Sequence, residues 1–301
     1  MERTEPYLDR IPWKCPVCGQ PLRAERTEDG GTPHTLRCPS RHSFDIARQG
    51  YVNLLLPNKR GASLPGDNTA MVRARTAFLE AGYYEGFSNG VNALCEEALT
   101  ASPVSSSPLI ADAGCGEGYY TGRLVNSLVR SCPGAAAVGF DLARDAVSHA
   151  SAAAKRNGFS DRAFYAVASL FEMPVADGSV SGVVNLFAPA AEEEFARVLV
   201  PGGFFLMAVP AERHLFGLKQ AVYDTPYENE VRRDVFTHFT LTDVRRISYT
   251  ITLRTREDIA ALFLMTPYYW KTSVSDRQKL DALDTLSTEV AFDLLLYRKN
   301  A

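Results

Sequence analysis

The stretch Leu109-Ile110-Ala111-Asp112-Ala113-Gly114-Cys115-Gly116-Glu117-Gly118-Tyr119-Tyr120 constrains the fold of this chain more than any other segment. A short apolar run ends at an acid. Glycines then stand at alternate positions, and an aromatic-rich helix start follows. A buried strand that turns tightly into a helix has this form, and the N-terminus of that helix faces a ligand. The spacing is G-x-G-x-G, which differs from the G-x-G-x-x-G of a dinucleotide-binding turn.

The pattern on either side is an alternation. Strands are expected at 109–112, 136–141, 163–168, 180–187 and 203–209, with helices at 119–131, 144–157 and 191–199 between them. Such a βαβ rhythm gives a mostly parallel sheet covered by helices on both faces. After Pro210 the rhythm changes. A helix after His214, a strand-like run at 244–253, helices at 256–264 and 275–286 and a final strand at 288–297 are expected, and the pattern does not fix how the last two strands pair. Upstream, Asp67 can cap a helix running to Glu80, and a second helix is expected from Tyr84 to Leu99. The breaker-rich segment 57–66 reads as a linker, and the Ser/Pro-rich segment 102–108 as a flexible join. Three regions follow: a small module over 1–56, a linker and helical connection over 57–108, and the main domain over 109–301.

With 301 residues, 46% apolar and 22% charged, the chain is long enough for one large α/β domain and a small accessory module. No run of about 18 apolar residues exists, so no membrane partner is expected. The start Met1-Glu2-Arg3-Thr4-Glu5-Pro6 lacks a basic-then-apolar signal, and a cytoplasmic location is expected. Charge is uneven. Arg10 to Arg75 holds eleven Lys or Arg against five Asp or Glu, a net of +6, whereas 81–301 holds twenty against twenty-six, a net of −6. A basic head on an acidic body hints at a polyanionic partner touching the head, and ordinary surface variation is the competing explanation.

Three of the six cysteines lie in that head. Cys15-Pro16-Val17-Cys18 has the C-x-x-C spacing of a zinc knuckle, and Cys38-Pro39-Ser40-Arg41-His42 supplies a second half with C-x₃-H spacing. Cys15, Cys18, Cys38 and His42 make a Cys₃His set. His34 is a rival fourth ligand, and His42 is preferred because it follows the cysteine within the knuckle. Four protein ligands leave no open position, so the expected role is structural.

In the main domain, Gly114 and Gly116 let backbone N–H groups approach a ligand, and Gly118 permits close packing at the helix start. The next strand ends in Asp141, 23 residues after Gly118, where an acid can accept both hydroxyls of a ribose. The third strand ends near Ser169 and Leu170, where an adenine would lie, with Leu170 or Phe171 available to its face. Pro201-Gly202-Gly203 is a helix stop and turn into a further strand. Loop, acid and turn in this order resemble the class I S-adenosylmethionine-dependent methyltransferases. The implied fold is Rossmann-like, with a mostly parallel seven-stranded sheet, and the implied cofactor-binding residues are Asp112, Gly114, Cys115, Gly116, Glu117, Gly118, Asp141, Ser169 and Leu170. Cys115 is read as a small buried loop residue rather than a nucleophile.

Between the two motifs run Ser43-Phe44-Asp45-Ile46-Ala47-Arg48-Gln49-Gly50-Tyr51-Val52-Asn53-Leu54-Leu55 and Pro65-Gly66-Asp67. Together with the zinc knuckles, the cofactor loop and Phe187-Ala188-Pro189, they make the chain resemble the bacterial RlmA-type 23S rRNA (guanine-N1)-methyltransferases, a group that includes enzymes of tylosin-type macrolide resistance. The resemblance implies transfer of a methyl group to N1 of a guanine in a hairpin loop of 23S rRNA, a zinc module that recognises RNA, and a homodimer. It also implies that Tyr84 and His214 complete the cofactor pocket. Guanine N1 lies on the pairing edge, so the base must be unpaired or flipped. Phe187, at the carboxyl end of the fourth strand, is then a candidate to stack on the base, and Asn185 to hydrogen-bond its edge. His214 and Glu117 are the ionisable candidates nearby, and each could simply hold the cofactor. A small-molecule methyltransferase would share the glycine loop without needing a basic zinc head. A zinc-stabilised RNA or ribosome binder without catalysis would not need Asp112, Gly114, Gly116 and Asp141.

Overall fold

The computed structural model describes residues 7–25, 33–57, 69–101, 105–231 and 235–300. The Asp67 cap, nearly all of the 57–66 linker and residues 102–104 of the join lie outside them.

The N-terminal module holds three short strands, β1 (Arg23–Ala24), β2 (Thr35–Arg37) and β3 (Ser43–Asp45), paired antiparallel in the order β1-β2-β3. Then come β4 (Val52–Asn53) and two helices, α1 (Thr69–Glu80) and α2 (Glu85–Ala101). The alternating region follows as β5 (Leu109–Ala113), α3 (Tyr119–Ser127), β6 (Ala136–Asp141), α4 (Arg144–Arg156), β7 (Ala163–Val167), β8 (Val180–Leu186), α5 (Glu192–Val198) and β9 (Leu199–Pro210). The C-terminal part holds α6 (Phe216–Val222), β10 (Phe239–Leu253), α7 (Arg256–Leu264), α8 (Tyr268–Lys271), α9 (Val274–Asp281) and β11 (Leu286–Lys299).

The large sheet runs β10-β11-β9-β8-β5-β6-β7-β4. From β9 to β4 every pairing is parallel, while β11 is antiparallel to both β9 and β10. This is the order of a class I methyltransferase sheet, with the last strand, β11, inserted antiparallel beside β9. The open pairing of the final two strands is thereby resolved: β10 and β11 lie side by side over nearly their whole lengths. Both outrun the expected strands because each continues into a segment whose alternation is weak but whose partner is long.

Eight strands stand where seven were expected. The extra one, β4, belongs to the metal module: Val52 and Asn53 pair with Ala166 and Val167 at the outer edge of β7. Leu54 extends the contact by donating its N–H to Val167 O at 3.0 Å. Nearby, Arg144 Nε donates to Tyr51 Oη (3.0 Å), and Ser151 Oγ to Gln49 O (2.8 Å). Trp13 is buried and meets Phe140 edge-on at 6.4 Å, within one apolar cluster that also takes in Ile11, Leu22, Leu36, Phe164 and Val175. The short module lacks the apolar mass for a core of its own and completes it against the sheet.

The interior strands read as continuous apolar runs because helices cover both faces. Every residue of β5, β7 and β8 is buried. On α4, Ala146, Val147, Ala150, Ser151 and Ala154 form the buried stripe at helical spacing, and their small size lets the helix sit close to β6 and β7. The chain leaves β5 towards β6 and β7, then returns to β8 on the other side of β5. That reversal opens a crevice at the carboxyl ends of these strands, which is where ligands bind in such sheets.

Candidate active site and metal centre

The loop after β5 lines that crevice. Gly114, Gly116 and Gly118 all have positive φ, at 92°, 52° and 79°. Two of them are also sterically required: a Cβ on Gly114 would fall 2.5 Å from Ala188 Cβ, and one on Gly118 would fall 2.7 Å from Ala150 Cβ and 2.8 Å from Tyr165 Oη. The amides of Gly114 and Cys115 donate to Phe140 O at 2.9 and 3.1 Å, so the loop is sewn to the end of β6. Asp141 adds a second stitch. Its Oδ2 accepts from Gly116 N at 3.0 Å and its Oδ1 from Ala143 N at 2.8 Å. Each carboxylate oxygen keeps lone-pair capacity for a further donor such as a ribose hydroxyl.

Asp112 lies deeper. It is 3% exposed and takes the Thr121 hydroxyl at 2.5 Å, tying α3 to β5 from below. Burial, reinforced by the negative charges of Asp141 and Glu117, pushes its carboxyl up to about 7. Cys115 is buried and its thiol is likewise pushed up by burial, so it holds no ready thiolate. Glu117 is buried and accepts from Arg75 Nε at 2.6 Å. Arg75 comes from α1 and lies over the loop, with Nη2 3.3 Å from the position of a Gly116 Cβ. The sequence reading missed Arg75, since nothing local marks an arginine on a helix 42 residues upstream of its partner.

Beyond β7, Ser169 Oγ accepts from Phe171 N at 3.2 Å in a tight turn, and Leu170 Cδ2 reaches 3.9 Å from the Gly114 Cβ position. Leu142 and Phe171 are exposed apolar side chains just beyond β6 and β7. An apolar base with a polar edge fits this lining.

The other wall is aromatic. Phe87 from α2 is 4.6 Å from Phe292 of β11, 5.4 Å from Phe187 and 5.7 Å from Tyr120 of α3. Tyr84 stands 5.9 Å from Phe292 and 6.5 Å from His214. Phe187 is 53% exposed and has φ 63°, a left-handed backbone that a side-chain-bearing residue adopts under strain. Strain of this kind collects where geometry serves a ligand.

One expectation needs correction, and of the two readings left open for His214 one falls away. Asn185 is 1% exposed, and its amide nitrogen donates to Ala113 O and Pro189 O, both at 3.1 Å. Both N–H groups are spent on bracing the Phe187 loop against β5, so the side chain does not offer them to a base. His214 is also buried. Its Nδ1 accepts from Ala291 N at 3.2 Å, which leaves the proton on Nε2, and its ring packs 4.0 Å from Phe292. Burial, with the Lys219 charge adding, lowers its pKa to about 3, so the imidazole is neutral and is not a base near neutral pH.

In the module, the ligand atoms of Cys15, Cys18, Cys38 and His42 all lie within 4.8 Å of one another. Cys18 and Cys38 sulfurs are 3.6 Å apart, and His42 Nδ1 is 3.4 Å from Cys38 Sγ and 3.7 Å from Cys15 Sγ. Tetrahedral zinc, with bonds of about 2.3 Å to sulfur and about 2.0 Å to nitrogen, requires ligand separations of this size. Backbone N–H donation at Gln20 lowers the exposed Cys18 thiol to about 6, towards the thiolate a metal needs. His34 is exposed and stands outside the cluster. The donor set and its geometry fit a structural zinc ion.

Comparison with known proteins gives matches along the chain. A family model described as "RlmA, N-terminal" matches residues 13–63, and one described as "Methyltransferase domain" matches residues 110–203. A protein of Micromonospora griseorubida, assigned by name to the 23S rRNA (guanine-N(1)-)-methyltransferases, is 35% identical over 86% of this chain and 87% of its own. The 23S rRNA (guanine(748)-N(1))-methyltransferase of Streptomyces fradiae is 31% identical over 85% of each chain. A Bacillus subtilis protein assigned by name to the same group is 28% identical over 99% of this chain and all of its own.

Proposed function

The chain belongs to the RlmA-type 23S rRNA (guanine-N1)-methyltransferase family, and on that premise we propose that it transfers a methyl group to N1 of a guanine in a hairpin loop of 23S rRNA. The carrying observation is the crevice itself. A glycine loop braced by Asp141 faces an aromatic wall that ends in the exposed, strained Phe187.

S-adenosylmethionine supplies an electrophilic methyl group on a sulfonium. The residues of the chain then have two tasks, orientation and exclusion. In this reading the amides around Gly116 and the Asp141 carboxylate hold the nucleoside part, Ser169 and Leu170 receive the adenine, and Tyr84 and His214 close the methionine side. Phe187 stacks on the unpaired guanine and sets N1 in line with the methyl group, a positioning effect of the kind that carries large rate factors. Among the described residues, none of the three candidate bases is free to take the N1 proton. His214 is neutral and hydrogen-bonded, Glu117 is ion-paired to Arg75, and Asp112 is shut beneath the loop. In this reading the N1 proton leaves to water at the open mouth beside the half-exposed Phe187.

Cys15, Cys18, Cys38 and His42 hold the zinc that keeps the basic module folded, and the module grips RNA through phosphates and unpaired bases. Pairing of two copies would extend that surface, and the site of action is the cytoplasm. None of the described helices is long and apolar enough to cross a membrane.

The test is transfer of labelled methyl from S-adenosylmethionine to unmodified 23S rRNA fragments. A methylated N1 blocks pairing, so a reverse-transcriptase stop locates the target. Tight cofactor binding with no transfer to any rRNA fragment would sink this reading.

A further inference from the structure

Tyr120 is the second residue of α3, and its hydroxyl is buried without a hydrogen-bond partner among the described residues. Buried hydroxyls in native folds are nearly always matched, and one that is not calls for a ligand or a water. The ring itself is held firmly, 5.1 Å from Tyr119, 5.7 Å from Phe87 and 6.1 Å from Phe187. The charged and polar groups acting on the hydroxyl are Tyr84, Glu117, Tyr119 and Tyr249. Tyr249 is committed elsewhere: its hydroxyl donates to Tyr83 O at 3.0 Å and accepts from Phe87 N at 3.2 Å. Glu117 belongs to the glycine loop, and Tyr84 to the aromatic wall. Tyr120 follows the N-cap Gly118 by two residues and its ring packs on Phe87 and Phe187, so the side chain stands where the glycine loop meets the aromatic wall, in the first turn of α3, where a helix end favours negative charge. Burial keeps the phenol protonated, so it can act only as a donor towards an anion.

We propose that the Tyr120 hydroxyl donates a hydrogen bond to the methionine carboxylate of S-adenosylmethionine and so seats the amino-acid end of the cofactor. The inference rests on the methyltransferase reading above. It gives Tyr120 a role separate from Phe187, which faces the acceptor base.

Tyr120→Phe keeps the ring and its packing and removes only the donor. Binding is measured by calorimetry on the full chain with two ligands: S-adenosylmethionine, and 5′-methylthioadenosine, which lacks the amino-acid end. A hydrogen bond to a charged acceptor predicts about a ten- to hundredfold loss of S-adenosylmethionine affinity. Affinity for 5′-methylthioadenosine stays at the wild-type level. An equal loss for both ligands would show a packing role and overturn the proposal. Unchanged S-adenosylmethionine affinity would overturn it as well, and if methyl transfer to RNA fell at the same time the hydroxyl would be assigned to the base. If the wild-type chain itself bound no S-adenosylmethionine, the parent reading would fail along with this one.

Discussion

Gly116 donates its backbone N–H to Asp141 Oδ2 at 3.0 Å, so the acid at the end of β6 holds the middle of the glycine loop as well as facing the crevice. One carboxylate thus sets the shape of the loop and, in the proposed reading, also meets the cofactor. Asp141→Ala removes the acceptors of both Gly116 N and Ala143 N. It is expected to cost about 1–3 kcal/mol of stability and at least about tenfold in S-adenosylmethionine affinity. Thermal unfolding and calorimetry read the two effects. A variant that melts lower yet binds the cofactor normally would confine Asp141 to a brace.

The zinc site should matter beyond its own module. Trp13 packs on Phe140 and β4 is a strand of the main sheet, so loss of the metal propagates into β6 and β7. Metal analysis is expected to find about one zinc per chain. Chelation or Cys38→Ser is expected to lower the melting temperature of the whole chain rather than melt the module alone. Two separated transitions, with the main one unmoved, would contradict this.

His214 makes a pH prediction. Its pKa falls from 6.5 unfolded to about 3 folded, so between those values the unfolded chain binds a proton that the native chain refuses. Its contribution is fully present above 6.5 and is lost as pH drops towards 3, by roughly a few kcal/mol in all. Asp112 acts in the opposite sense, since its carboxyl is raised from 3.8 to about 7 and favours the fold less as pH rises through that window. The total pH profile therefore mixes the two. Comparing wild type with His214→Gln by urea unfolding at about pH 5 and about pH 7.5 isolates the histidine: subtracting the two profiles, wild type is expected to gain stability relative to the variant as pH rises from about 5 to about 7.5. A His214 ring signal titrating near 6.5 in an NMR experiment would refute the buried neutral state.

Phe187→Gly separates backbone from ring. Glycine adopts φ 63° without strain, so stability is expected to hold or rise slightly. Loss of base stacking is expected to lower methyl transfer to RNA by about five- to hundredfold, while cofactor affinity stays close to wild type. Full activity with the glycine variant would remove Phe187 from the acceptor side.

The parallel core was legible because its signals are local. Apolar runs, alternate glycines and acids at strand ends all lie within a few residues of one another, and β5 to β9 fall close to the expected spans. The Cys₃His cluster was legible for the same reason, its donors being paired at short spacing. The parts that were not legible depend on distant partners. Nothing in Val52-Asn53 announces that it will extend β7 more than a hundred residues on. Arg75 finds Glu117 only once α1 has packed over the loop. Asn185 looked like a base reader because it sits at the right strand end. Its inward turn follows from the need to satisfy Ala113 O and Pro189 O, which only the folded loop creates.

The strand Val52–Asn53 gives the metal module the standing of a sheet edge rather than of a tethered arm. A tethered arm searches; an edge strand measures. If the module grips RNA and Phe187 receives the base, as proposed, the two lie at an offset fixed by the width of the sheet from β4 to β8. The choice of nucleotide then becomes partly a question of span along the folded RNA, and lengthening the RNA between grip and target would change which base arrives even with both surfaces untouched.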